Sequence, residues 1–126
     1  MKEQNQNIAT REAFGQTLAE LGAKDERIVV LDADLASSTK ITYFRDIAPE
    51  RFLQMGIAEQ NMVGVAVGLT LLGKIPFCAS FSTFISRRAC DQVAVSVGHT
   101  GANVKMIGAY GGLVNGNNGA THQAVE

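Results

Sequence analysis

Ile28-Val29-Val30-Leu31 is a wholly apolar run, set behind Arg27 and closed by Asp32-Ala33-Asp34-Leu35. A strand with one wet face alternates apolar and polar residues. A run without that alternation suits a strand covered on both faces, as in a parallel sheet. Three more short runs are strand candidates: Phe52-Leu53-Gln54-Met55, Ile75 to Ala79 with Pro76 at its entry, and Val104-Lys105-Met106-Ile107. No hairpin dipeptide lies between them. Helical segments do, which is the pattern of an α/β domain with a largely parallel sheet. Ligands of such sheets gather at the carboxyl ends of the strands.

The helical segments follow from spacing. From Thr10, apolar residues recur at Ala13, Phe14, Leu18 and Leu21, one stripe of a helix with Thr10 as N-cap and Gly22 as stop. Ala36 to Lys40 reads as a Ser/Thr loop, and 41–48 as an amphipathic segment that ends before Pro49. Asn61 to Leu72 carries Met62, Val65, Val67, Leu69 and Leu72, with Gly64, Ala66 and Gly68 between them. It is apolar nearly all round and is expected to be a buried helix ended by Gly73. Ser80 to Thr83 reads as a loop and 84–97 as a further helix. Gly108 to Gly119 reads as a long loop, and Thr121 as the start of a last helix.

With 46% hydrophobic and 18% charged residues, the 126-residue chain is expected to form one ordered domain. Its net charge of −1 carries no electrostatic footprint for nucleic acid or an anionic membrane. No apolar run approaches a membrane span. Met1 to Asn7 lacks the apolar core of a signal peptide, so a cytoplasmic location is the default expectation. Cys78 and Cys90 are too few for a disulfide framework, and no spacing suggests a metal site. Both stand in apolar surroundings and are expected to be reduced and buried.

The residues with chemical potential follow strand candidates: Asp34, Glu59, Phe81, Phe84 and His122. Glu59 lies in Gly56-Ile57-Ala58-Glu59-Gln60-Asn61-Met62, at the start of the apolar helix. A carboxylate there is ordinarily a cap or a partner of the helix dipole. Desolvated by that helix, it favours its neutral form and can donate to a ring nitrogen of a ligand. Phe81 and Phe84, in Phe-Ser-Thr-Phe, suit either a core or a platform for a flat heteroaromatic ring. Of Arg87 and Arg88, one is expected to be solvated and the other to meet an anion. His122, in Gly119-Ala120-Thr121-His122-Gln123, follows the glycine-rich loop, a setting suited to proton transfer or to binding a substrate oxygen. Asn115-Gly116-Asn117-Asn118-Gly119 lacks the ending of a P-loop and the spacing of a dinucleotide fingerprint.

Five short motifs in this order resemble one family. They are Ala-Thr-Arg at 9–11, Ala-Asp-Leu at 33–35, Gly-Ile-Ala-Glu-Gln-Asn at 56–61, Pro-Phe-Cys-x-x-Phe-x-x-Phe at 76–84, and Gly-x-Thr-His-Gln at 119–123. Together they resemble the pyrimidine-binding domain of transketolase, and most closely the C-terminal section of split transketolases. The resemblance implies a three-layer α/β/α domain over residues 9–126, incomplete at its C-terminus, after a polar lead-in at 1–8. It implies thiamine diphosphate as cofactor, with a divalent metal such as Mg held by a partner domain. Glu59 then matches the glutamate that bonds N1′ of the aminopyrimidine. Phe84 matches the ring stacked on that pyrimidine, and Phe81 its neighbour. Asp34 and Leu35 match residues beside the cofactor, and His122 a histidine near the reacting carbon. Arg11 and Ser38 match positions that hold the substrate phosphate, and Arg87 and Asn118 are further candidates for substrate contact.

Two positions depart from the resemblance. Asn118 stands where an aspartate is usual, and Tyr110 where a histidine is usual, which bears on the choice of sugar. No Gly-Asp-Gly motif for the diphosphate occurs in the chain. The implied partner is therefore a diphosphate-binding N-terminal subunit, in a homo- or hetero-oligomer acting on sugar phosphates, with this chain inactive alone. The alternatives are a deoxyxylulose-phosphate synthase, a 2-oxoacid dehydrogenase beta subunit, or a non-catalytic partner module.

Overall fold

Strand β1, Ile28–Asp32, is buried at all five positions. The structure, a computed structural model, describes residues 7–125. Most of the expected lead-in at 1–8, and Glu126, thus lie outside the described residues. β1 pairs in parallel with β2 (Phe52–Gln54) on one side and with β3 (Ile75–Phe81) on the other. β3 pairs in parallel with β4 (Lys105–Ala109), giving the sheet order β2-β1-β3-β4.

Alternate residues of β1 enter different cores, which is why the run has no polar member. Ile28 and Val30 pack with Leu18, Ile41 and Phe44. These come from helix α1 (Thr10–Lys24) and from helix α3 (Thr42–Ile47) with Ile41, the residue that caps it. Val29 and Leu31 pack on the opposite face with Met62, Val63, Ala66, Cys78 and Val97. That face is covered by helix α4 (Glu59–Leu71) and a π-helical turn at Gln92–His99. The result is the expected three-layer α/β/α arrangement. The chain leaves β1 for one face and β2 for the other. The crevice where such connections diverge, at the carboxyl ends of the strands, is the favoured ligand position of open α/β sheets.

Several local expectations change. Helix α1 runs through Gly22 to Lys24, because Gly22 is a contact point: a Cβ there would lie 2.3 Å from the Phe44 ring. Ala36–Thr39 is a short helix, α2, not a loop; Thr39 Oγ1 donates to the Leu35 carbonyl at 3.0 Å, and Lys40 ends the turn with φ +66°. β3 runs on to Phe81 and helix α5 (Ser82–Arg87) starts at once, so no loop intervenes at 80–83. The helix expected over 84–97 is broken after α5 and resumes as the π-helical turn. The helix expected from Thr121 is a single 3-10 turn, Ala120–His122. α4 is buried along one stripe only, Glu59, Met62, Val63 and Ala66, and Leu71 remains 85% exposed. A helix lying on a sheet hides one side, whatever the composition of the other. Cys90 is exposed and only Cys78 is buried, because Cys90 sits on the outer side of the break after α5.

Candidate functional site

The site is built at the carboxyl ends of β1, β2 and β3. The first brace is Asp32, wholly buried as the last residue of β1. Its Oδ1 accepts from the Leu35 backbone N–H at 3.0 Å, and its Oδ2 from Gln54 Nε2 at 2.6 Å. Gln54 Oε1 in turn accepts from the N–H groups of Asp34 (3.1 Å) and Gly56 (3.0 Å). One acid–amide pair thus ties the ends of two parallel strands. It holds Asp34 at φ +64°, a backbone region that few non-glycine residues adopt. The same pair fixes Ala33-Asp34-Leu35 and the approach to Glu59.

Glu59 opens α4 and is 3% exposed. Its carboxylate reaches across the sheet end instead of capping its own helix. Oε1 accepts from Ser80 Oγ at 3.4 Å and from Arg88 Nη1 at 3.0 Å. Ser80 is buried near the end of β3, and Arg88 follows α5. The immediate passage from β3 into α5 also places Phe81 and Phe84 side by side, with ring centroids 5.6 Å apart and planes 17° apart. The Arg88 guanidinium lies 3.8 Å from the Phe84 ring centroid, a close cation–π contact.

His122 is brought back to this wall by its loop. Gly112 and Ala124 form an antiparallel bridge, with N–H to carbonyl distances of 2.7 and 3.1 Å. The bridge closes the segment that carries the 3-10 turn of His122. Its ring meets Phe84 edge-on at 5.0 Å and Phe81 at 6.2 Å. Nδ1 lies 2.9 Å from the Thr121 hydroxyl oxygen, a hydrogen bond that orients the ring. Ala33, Asp34, Leu35, Ile57, Glu59, Phe84, Arg88 and His122 enclose a cavity of about 220 Å³.

A larger, more open hollow of about 700 Å³ lies between α1 and β4, lined by Arg11, Phe14, Thr39, Ile107 and Tyr110 among others. The smaller cavity is the better candidate for chemistry, because it holds the buried acid and the histidine. The two are linked through Tyr110, whose ring is 4.7 Å from that of Phe81 and 5.3 Å from the Arg11 guanidinium. Tyr110 has φ +57°, a strained position for so bulky a residue, and strain of this kind concentrates at functional sites. Arg11 Nη1 donates to the Ser38 carbonyl at 3.4 Å. Glu12, next to Arg11, is engaged by Lys40 (2.9 Å) and by the Tyr43 hydroxyl (2.8 Å), which hold its carboxyl below the usual range.

Glu59, Phe84, Asp34, Leu35 and His122 therefore share one cavity, with Phe81 behind Phe84. Arg11 lines the second hollow; Ser38 does not, and meets Arg11 only through its backbone carbonyl. Arg87 and Asn118 line neither; the Asn118 carbonyl accepts from the Thr121 hydroxyl at 3.5 Å. Arg88, not Arg87, meets the acid. Asp32, Gln54 and Ser80 were not among the candidates. A polar residue closing a strand, as Asp32 and Gln54 do, is the only signal that marks two of them.

A family profile described as transketolase, pyrimidine binding domain, matches residues 6–126. The 6-deoxy-6-sulfo-D-fructose transketolase subunit of a Clostridium species is 47% identical over 116 residues, covering 92% of this chain and 36% of that protein. A putative transketolase C-terminal section from Methanocaldococcus jannaschii is also 47% identical over 116 residues, covering 92% of this chain and 37% of that protein. A solved structure described as a split gene transketolase, inactive beta4 tetramer, superposes with a TM-score of 0.79 at 49% identity, covering 94% of this chain and 38% of the other. The chain thus spans little more than a third of the length of these relatives.

Proposed function

Because the chain belongs to the family of transketolase pyrimidine-binding domains, we propose that it forms the pyrimidine-binding half of a thiamine-diphosphate-dependent transketolase, moving a two-carbon ketol unit between sugar phosphates. The observation that carries this reading is a buried carboxyl, Glu59, set beside the Phe84 ring in a cavity at the strand ends. These residues fit an aminopyrimidine. The ring is flat and apolar on its faces, which suits Phe84, and polar at its edge, which suits an otherwise desolvated acid. Bound thiamine diphosphate supplies a nucleophilic, electron-accepting thiazolium carbon.

The chain's own residues then have distinct tasks. Glu59 bonds N1′ and holds a proton at that nitrogen. Phe84 supports the ring from one face, and Phe81 backs Phe84. Asp34 and Leu35 close the cavity beside the cofactor. His122 exchanges a proton with a substrate oxygen near the reacting carbon. Arg11, held against Ser38 and Tyr110, takes the anionic end of the sugar, where a guanidinium fork suits an oxyanion group. Arg87 and Asn118 contact substrate in the complete assembly; Asn118 accepts a hydrogen bond there without adding charge.

The diphosphate and a divalent metal such as Mg fall to an N-terminal subunit. Among the described residues no group of three or more His, Cys, Asp or Glu is placed to hold a metal. Relatives described as a subunit and as a C-terminal section support a partner subunit, and one described as a beta4 tetramer supports an oligomer, homo- or hetero-. Sugar-phosphate substrates go with a cytoplasmic location; no helix among the described residues is long and apolar enough to cross a membrane. Their names support transketolase over a deoxyxylulose-phosphate synthase or a 2-oxoacid dehydrogenase.

The test mixes the full-length protein with a candidate diphosphate-binding subunit. Transfer from xylulose 5-phosphate to ribose 5-phosphate is followed with and without thiamine diphosphate. 6-Deoxy-6-sulfo-D-fructose serves as a second donor, since a relative is named for it. A folded pair without transfer from either donor overturns the proposal. Glu59→Ala is expected to lower kcat about a hundredfold or more; full turnover in that variant would refute the role given to Glu59.

A further inference from the structure

We infer that Arg88 is a displaceable placeholder for the cofactor's pyrimidine, setting the affinity and the rate of its entry. The inference rests on the function proposed above. An aminopyrimidine in this cavity must satisfy two contacts at once, a face against Phe84 and an edge nitrogen against Glu59. The Arg88 guanidinium is also planar and also carries N–H donors at its edge. It makes both contacts: 3.8 Å to the Phe84 centroid and 3.0 Å from Nη1 to Glu59 Oε1. Phe81 is stacked beside the same ring and His122 meets it edge-on. Phe84 is only 9% exposed, so Arg88 covers the face that an incoming ring needs. Two planar groups cannot share that face.

The arginine is built to leave. Its side chain is 46% exposed, whereas that of Glu59 is 3% exposed. It sits in the break between α5 and the π-helical turn, so it can swing into solvent without moving either element. Its departure strips Glu59 of its counter-charge inside a buried site. A buried acid left without a partner is costly, and the contact that replaces the ion pair is one proton, taken from solvent, shared between the Glu59 carboxyl and the edge nitrogen of the ring. Exchange of the guanidinium for the ring thus couples cofactor entry to the contact made by Glu59.

A ligand that binds only a minor conformer has its affinity reduced by that conformer's population. If Arg88 is swung out in about a tenth of molecules, Arg88→Ala binds the cofactor about tenfold more tightly than the wild type. The experiment titrates the full-length protein, assembled with its diphosphate-binding subunit, with thiamine diphosphate and Mg²⁺ by calorimetry. Stopped-flow measurement gives the association rate. For Arg88→Ala the expected results are a Kd lowered about tenfold, faster association, and a lower Tm of the cofactor-free protein. Arg88→Lys keeps the charge but cannot lie flat on the ring, and its Kd should fall between the two. Binding by the wild type with an unchanged or raised Kd in Arg88→Ala overturns the placeholder role alone. No binding by either protein overturns the proposed function and the placeholder with it.

Discussion

Replacing Gly22 by alanine should destabilise the protein, although the same change elsewhere in a helix stabilises it. An alanine in a helix interior is favoured over glycine by about 1 kcal/mol. At Gly22 the added methyl would stand 2.3 Å from Phe44 Cε2 and 2.7 Å from Cδ2. Ordinary contact needs roughly another 1 Å or more, on the scale of the 3.5–4.0 Å optimum between carbons. The ring cannot retreat cheaply. Phe44 is wholly buried between α1 and the sheet, and the Arg51 guanidinium lies over it at 5.4 Å. Arg51 is itself tied down, with Nη1 donating to the carbonyls of Gly22 (3.0 Å), Asp25 (3.2 Å) and Ile28 (3.3 Å). Helix α1 must therefore lift from α3, and overpacking of this kind costs about 1–3 kcal/mol. The steric term wins, because it acts on rigid neighbours while the propensity gain is partial two residues from the helix end. The expected net loss is about 1–2 kcal/mol, a fall in Tm of roughly 3–10 °C for a domain of this size.

The control is Gly64→Ala in α4, where an added methyl has no atom within 4 Å. There only the propensity term operates, and stability should rise by up to about 1 kcal/mol. Both variants are read by thermal and urea denaturation beside the wild type. A Gly22→Ala protein as stable as the wild type, or more stable, would show that α1 and α3 do not approach this closely. It would also remove the explanation offered for a glycine that interrupts neither helix nor turn.

Gln54→Glu should destabilise by about 2–4 kcal/mol at pH 7, since it sets a second carboxylate against Asp32 and removes the amide donor that now spans 2.6 Å. Like charges make the pair hold a proton in the folded state, so the loss should shrink as pH falls toward 4; a deficit independent of pH would refute the electrostatic part. The Cys78 thiol is pushed up to about 12 by burial, whereas Cys90 is exposed. Iodoacetamide at pH 8 should therefore modify the Cys90 peptide in native protein and the Cys78 peptide only in denaturant, as read by mass spectrometry.

The strands were legible because their signal is local. Ile28 to Leu31 shows in its own composition that both faces are covered, and the structure then divides its residues between two cores. Helix boundaries were less legible where a neighbour decided them. Gly22 has the usual signature of a helix stop, yet it is a packing site for Phe44, 22 positions away in the chain. The all-round apolar pattern of α4 implied burial on every side. The sheet covers one stripe, and the other carries Leu71 into solvent. Spacing alone cannot show which apolar face has a partner.

The candidate site divides along the same line. Glu59, Phe81 and Phe84 stand in short motifs at or just after strand ends, so topology brings them to one end of the sheet, whereas His122 lies well beyond β4 and is returned there by the Gly112–Ala124 bridge. What those motifs omit are the groups that touch them across chain distance: Asp32 with Gln54 beneath Asp34 and Gly56, Ser80 beside Glu59, and Arg88 over Phe84. The choice between adjacent Arg87 and Arg88 shows why. Arg87 ends α5 and Arg88 follows it, with the same charge. The one-residue difference in position, after a helix that starts without a loop from β3, turns one of them onto the acid and the ring. Such a distinction depends on the phase of α5 relative to the sheet end. That phase is set by the β3 register against β1 and β4, not by any residue in the motif itself.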